Sequence, residues 1–162
     1  MGREIRRVPK DWNHPKNERG KYIPLLGRAF SERLERWDEG EKMWKKGLRD
    51  NCKDGWIPIE AEYIGQSFSD WDGDRPVKKD YMPEWNESQK THIQMYEDCT
   101  EGTPISPVMA TPEELARWLA DNNASAFGDQ TATYEQWVRV CNGGYAPSAV
   151  MDEKGFRSGV AL

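Results

Sequence analysis

The run Asp70-Trp71-Asp72-Gly73-Asp74 places carboxylates at alternate positions, the way a calcium-binding loop begins. Such a loop needs glycine at its sixth position and a bidentate glutamate at its twelfth, where this chain has Arg75 and Tyr81. It fails as an EF-hand and reads as an acidic turn. The chemical alternative is a weaker cation site, in which Asp70, Asp72 and Asp74 would serve a metal-dependent, nuclease-like activity. His14, before Pro15, reads as a turn residue, and His92, beside Ile93, as a residue on a strand face. Two histidines in the whole chain leave little material for His-based triads or metal sites. Cys52, Cys99 and Cys141 are odd in number and more than 40 residues apart, which argues against a disulfide scaffold, forms no CxxC pair and suits a reducing compartment. The Walker, GxGxxG, GxSxG and HExxH motifs are absent. The sequence therefore predicts a non-enzyme, with no catalytic residue, metal ligand or cofactor.

Binding chemistry is better represented. Residues 54–101 hold twelve acidic and four basic side chains, interleaved with Trp56, Tyr63, Phe68, Trp71, Tyr81, Trp85 and Tyr96. Negative charge among exposed rings can dock on a basic, nucleic-acid-binding groove of another protein, standing in for phosphates. The same composition also describes an acidic surface with its rings turned inward. The candidate partner-binding residues are Asp70, Trp71, Asp72, Asp74, Asp80, Glu84, Trp85 and Glu87. At the other end, Arg3, Arg6 and Arg7 form a candidate basic arm able to touch phosphates. Intervening Glu4, Asp11 and Glu18, and an acidic pI near 5.2, argue against direct nucleic-acid binding. Residues 1–28 carry +5 and residues 51–162 carry −10, an asymmetry with the form of a basic arm on an acidic body.

The elements that must position these residues follow from periodicity. Residues 3–8 predict a short strand with Ile5 and Val8 inward, stopped by Pro9. Residues 11–20 carry turn chemistry. Phe30, Leu34, Trp37, Trp44 and Leu48 share one face of a helix expected over 29–46, with Gly40 a weak point and Gly47 a stop. Glycines and prolines break up residues 50–90, leaving short strands at 56–59 and 61–64. That stretch is either an ordered excursion pinned by aromatic rings or a segment that folds on a partner. Strands are expected at 92–96 and 105–109. Thr111, Pro112 and Glu114 open a helix with a capping box, burying Leu115, Trp118 and Leu119. Thr133 and Gln136 open another, which buries Trp137, Val138 and Cys141 and stops at Gly143-Gly144. Residues 149–151 and 156–160 predict a terminal hairpin turning at 152–155.

Apolar residues are 36% of the chain and charged ones 31%, a balance near that of disordered chains. Eight tryptophans decide for folding, since each buried ring removes roughly 150–250 Å² from water. The expected fold is α+β: one small domain over residues 1–162 with short antiparallel strands, about three helices and long irregular connections. No apolar run is long enough to cross a membrane, and the charged start, with Arg6 where a myristoylation signal needs Ser or Thr, predicts no secretory signal or lipid anchor.

Gly2-Arg3-Glu4-Ile5-Arg6-Arg7-Val8-Pro9, Trp12, His14-Pro15 and Tyr22-Ile23-Pro24-Leu25 resemble the start of an uncharacterised family of small proteins of tailed bacteriophages and prophages. Residues 101–108, the helix from Thr111 with Trp118, the Tyr134–Trp137 stretch and Tyr145-Ala146-Pro147-Ser148 resemble later parts of the same family. The resemblance covers both ends of the chain and transfers no catalytic residue. It implies a phage accessory protein in the cytoplasm of an infected bacterium. The expected role is to bind and inhibit a host protein or protein–nucleic-acid complex, above all a defence system, as an anti-CRISPR factor does. A virion or DNA-metabolism accessory protein that forms homo-oligomers is the alternative.

Overall fold

A computed structural model of the chain describes residues 2–98, 102–152 and 155–162. Cys99, Glu101 and the centre of the expected 152–155 turn lie outside the described residues. Among the described residues, seven strands and four α-helices follow in chain order. The first half holds β1 (Arg3–Val8), α1 (Phe30–Trp44), β2 (Leu48–Asp50), β3 (Trp56–Pro58) and α2 (Phe68–Asp72). The second holds β4 (His92–Glu97), α3 (Pro112–Asp121), α4 (Tyr134–Gly143), β5 (Tyr145–Ala146), β6 (Ala149–Asp152) and β7 (Gly155–Ser158). The fold class is α+β, with small antiparallel sheets. The chain divides into two compact units: Met1–Gly27 with Trp85–Leu162, and Arg28–Glu84.

In the first unit, β1 is the middle strand of the sheet β4–β1–β5, both of its neighbours antiparallel to it. Its register sets Arg3 opposite Glu97, Ile5 opposite Met95 and Val8 opposite His92. Alternation along the strand puts Ile5 on one face and Arg6 and Val8 on the other, and both faces are covered. Ile5, Ile93 and Met95 pack with Leu115, Leu119, Trp137, Val140 and Cys141 of α3 and α4. Over the opposite face, His14 and Trp12 of the 9–27 segment bond to the Tyr96 hydroxyl and Leu25 to the Arg6 guanidinium. What reads as an arm is thus a cover.

The N-cap residues of α3 and α4 are the expected ones, but only α4 closes its capping box. Thr111 accepts the Glu114 amide, while Glu114 reaches back to the Ala110 amide, one residue short of the capping-box position. Thr133 and Gln136 form the full box, and Gly144, at φ 82°, ends α4 in the left-handed conformation that glycine tolerates best. The strand expected at 105–109 is reduced to pairings at its two ends. The Ile105 amide donates to Met95 and the Met109 amide to Ile93, but Pro107 between them has no N–H to give. The terminal hairpin forms as β6 on β7, and residues 159–161 turn into a short 3₁₀ helix instead of extending the strand.

In the second unit, α1 runs through Gly40 without a break. The reason lies across the contact: a methyl group on Gly40 would overlap the Phe68 ring. That ring is wedged between Trp37 and Trp44, with centroids 5.3 and 5.8 Å away, so it has little room to move. Trp71 extends the cluster from Trp44 to Tyr63. The indole N–H groups of Trp37 and Trp44 donate to the Gly73 and Gln66 carbonyls, at 3.0 and 2.8 Å. These bonds tie the irregular backbone at Gln66 and Gly73 to the helix. Of the strands expected in the 50–90 stretch, 56–58 pairs with 48–50, whereas 61–63 is a 3₁₀ turn.

Gly→Ala inside a helix ordinarily stabilises by about 1 kcal/mol. Gly40→Ala is expected to reverse that sign and destabilise the second unit by about 1–3 kcal/mol through overpacking. Urea titration followed by tryptophan fluorescence checks it; a stabilised variant refutes the wedge.

Candidate functional site

Arg3 and Arg6 are 2% and 8% exposed, so the candidate basic arm is corrected: two of its three cations are interior. Arg3 donates to the Ser125 carbonyl (2.8 Å), the Ser125 hydroxyl (3.0 Å) and the Gly2 carbonyl (3.1 Å), and lies 3.5 Å from Glu97. Burial pulls its pKa below the ordinary arginine value, with Glu97 opposing. Arg6 donates to the Leu25 carbonyl at 2.7 Å, pairs with Glu4 and stacks 4.3 Å above the Tyr96 ring. Only Arg7 is exposed, and it is bridged to Glu87 at 2.6 Å.

Beneath Arg6 lies a buried polar network. The Tyr96 hydroxyl donates to Gln94 (2.9 Å), accepts the Trp12 indole N–H (3.0 Å) and sits 3.1 Å from His14 Nδ1. His14 Nε2 donates to the Ile23 carbonyl at 2.7 Å, which places a proton on that nitrogen. Burial, and then the Arg6 charge, push the His14 pKa below its ordinary value, partly opposed by the Ile23 bond; burial also pushes the Tyr96 phenol up to about 12. His14 closes the cover over the sheet. Thr91 is hydrogen-bonded to the other histidine, His92, at the edge of β4.

The eight candidate partner-binding residues divide between the units. Trp85 and Glu87 belong to the first, where Trp85 packs edge-on to Trp12 at 4.8 Å and Glu87 holds Arg7 and Lys90. The other six belong to the second. Asp70 caps α2 through Ser67, and those bonds lower its pKa. Asp72 pairs with Arg33 at 2.7 Å, and half-exposed Trp71 joins the aromatic cluster. Asp70, Asp72 and Asp74 do not converge, and no group of three or more His, Cys, Asp or Glu able to hold a metal ion occurs among the described residues. Asp74 and Asp80 are exposed.

Glu84 has a different task. The N-cap of α1 is Ala29, which has no side-chain acceptor to offer. Glu84 supplies one from 53 residues away, accepting the Ser31 amide and hydroxyl, each at 2.7 Å. Those bonds, with help from Lys78 and the Phe30 amide, hold its carboxyl below the usual range. Fastening the 78–84 segment to the first turn of α1 leaves a groove of about 800 Å³ within the second unit. Phe30, Leu34, Tyr81, Met82 and Pro83 form its apolar lining, with the Phe30 and Tyr81 rings 5.4 Å apart. Ser31, Glu35, Asp38, Lys78 and Glu84 supply its polar atoms.

Only Glu84 of the candidate set lines this groove. The sequence put Phe30 and Leu34 on the buried face of α1, whereas the tightly covered stripe is Trp37, Gly40 and Trp44. The missed signal is local: a helix beginning at Ala29-Phe30 with no capping residue must be capped from elsewhere, and whatever caps it builds a wall there. Comparison with protein-family models, curated proteins and solved structures returns no match for the chain. No described helix is long and apolar enough to cross a membrane.

Arg3→Gln is expected to destabilise by about 3–5 kcal/mol, because it strips a partner from a buried ionic cluster, while Arg7→Gln stays within about 1 kcal/mol; equal effects in denaturant titrations would restore the arm. His14 fixes a pH dependence as well. Its folded pKa lies below the unfolded value, so its neutral form is the one the fold holds. Its contribution is complete above about pH 6.5 and falls as the pH drops from there toward the folded value. Denaturation midpoints should decline as the pH falls below about 6.5 in the native chain, and decline less in His14→Gln.

Proposed function

We propose that this chain is a phage-encoded accessory protein that binds and inhibits a host macromolecule, a bacterial defence system above all, in the manner of an anti-CRISPR factor. The setting comes from the resemblance of both chain ends to small phage proteins. The observation that carries the binding reading is the groove of the second unit, with an apolar lining, carboxylates on its rim and the exposed Asp74 and Asp80 in the same unit. Its size lies within the roughly 300–1,000 Å³ range of binding clefts. Most acidic candidates have structural partners, so the surface offered to a target is narrower than the sequence suggested.

A second reading, self-assembly as a virion or DNA-metabolism component, has one observation in its favour. Met151 and Phe156 stand opposite each other on the β6–β7 hairpin and are 81% and 52% exposed. An apolar cross-strand pair this exposed, with Phe156 packed on Phe127 on one side only, suits a hairpin face that other copies cover.

Affinity purification from infected or prophage-bearing bacteria, with mass spectrometry, separates these readings. The inhibitor reading expects one host protein or protein–nucleic-acid complex in near-stoichiometric amount. Capture should weaken with salt and fall about fivefold in the Asp74→Lys/Asp80→Lys double variant, which reverses two exposed charges of the same unit outside the groove lining. Recovery of no host protein at low and moderate salt removes the reading, and recovery of copies of the chain alone favours the second.

A further inference from the structure

We propose that the groove between α1 and the 78–84 segment is the seat for a cationic amphipathic segment of the partner, an apolar side chain entering among Phe30, Leu34, Tyr81 and Met82 while a lysine or arginine meets Glu35. This rests on the binding reading above and names the chemistry that one part of the surface recognises. The argument begins with charge. Three carboxylates, Glu35, Asp38 and Glu84, face one lysine, Lys78. Asp38 is neutralised by a two-pronged bridge to Arg75, at 2.9 Å on each arm, and Glu84 is held by Ser31. Glu35 is exposed and has no partner among the described residues, so it is the rim charge open to a ligand. Lys78 lies near enough to help keep the Glu84 carboxyl ionised, which leaves Glu35 as the uncompensated charge, and a rim of that sign attracts a cation.

The lining sets the rest of the ligand. Tyr81 and Met82 are buried, and Phe30 and Leu34 are half-buried. Phe30 and Leu34 lie one helical turn apart on α1, with Glu35 next along the chain, so an apolar anchor and a cation one or two positions away match the spacing. The wall opposite is already fastened by Glu84 on Ser31 and by Tyr81 on Phe30. Little ordering cost is therefore left for binding. Met82 supplies the adaptable surface that suits side chains of varied shape.

The test uses the full chain and two synthetic amphipathic peptides of equal length, leucine on one face and either lysine or glutamate on the other. NMR follows the Leu34 and Met82 methyl groups. The lysine peptide is expected to shift both, and the glutamate peptide to bind at least about tenfold more weakly. Glu35→Lys should weaken the lysine peptide about threefold to fivefold, and Leu34→Asp should abolish the Met82 methyl shift, with circular dichroism confirming that both variants fold. Glu62→Lys, the same charge change on an exposed residue outside the groove, should leave affinity unchanged. Silent methyl groups, equal binding of the two peptides, or equal effects of the Glu35 and Glu62 variants overturn the proposal. So does a dimer in light scattering that Leu34→Asp dissociates, because a second copy would then be the occupant. If a host protein is still captured while the groove stays silent, the inference falls and the binding reading stands; a responsive groove with no captured partner has the opposite consequence.

Discussion

Two arginines buried on one six-residue strand constrain the first unit more than any apolar contact does. A buried guanidinium stays protonated, and its removal from water is tolerable only when hydrogen bonds and countercharge replace the lost hydration. Arg3 finds these through Ser125, Gly2 and Glu97, which anchors the α3–α4 connection and the end of β4 to the strand. Arg6 finds them through Leu25, Glu4 and the face of Tyr96, which draws the 9–27 segment back over the sheet. With both faces of β1 closed in this way, His14, Trp12, Tyr96 and Gln94 must satisfy one another in the interior. The buried polar network follows from where the arginines sit.

The second unit solves a different problem, how to hold a long irregular stretch with few backbone ladders. Its rings do this because each tryptophan brings both area and a donor. Trp37 and Trp44 bury their bodies against Phe68 and deliver their N–H groups to loop carbonyls that no strand would satisfy. Ion pairs from Asp38 to Arg75, Asp72 to Arg33 and Glu60 to Arg49 tie the same stretch at its margins. Exposed pairs of this kind contribute little one by one, so they direct the path of the chain more than they stabilise it.

Legibility in the sequence followed the range of the interactions. Caps, periodicity and glycine stops act within one turn, and α3, α4, the end of α1 and strand β1 were all readable from them. Features set by residues distant in sequence were not. Gly40 is required by Phe68, and Arg3 and Arg6 look like a basic arm until Glu97, Ser125 and Leu25 are placed beside them. The groove belongs to this second class. The sequence supplied Glu84 as a candidate for its charge, but its role as a cap depends on Ala29 having no acceptor, a relation across 53 residues.

The same distinction bears on how the molecule recognises anything at all. Along the sequence the charge looks polarised, yet the two units hold 11 basic with 14 acidic residues and 12 basic with 14 acidic residues. The basic start of the chain and the acidic residues that follow position 85 belong to the same unit, so neither unit carries as net charge the asymmetry seen along the sequence. A field built from such nearly balanced units decays within about one Debye length, roughly 8–10 Å at ordinary salt, so long-range steering has little to work with. The proposed recognition therefore relies on short-range features: an uncommitted carboxylate beside an apolar recess, held in place by a cap that the helix could not provide for itself.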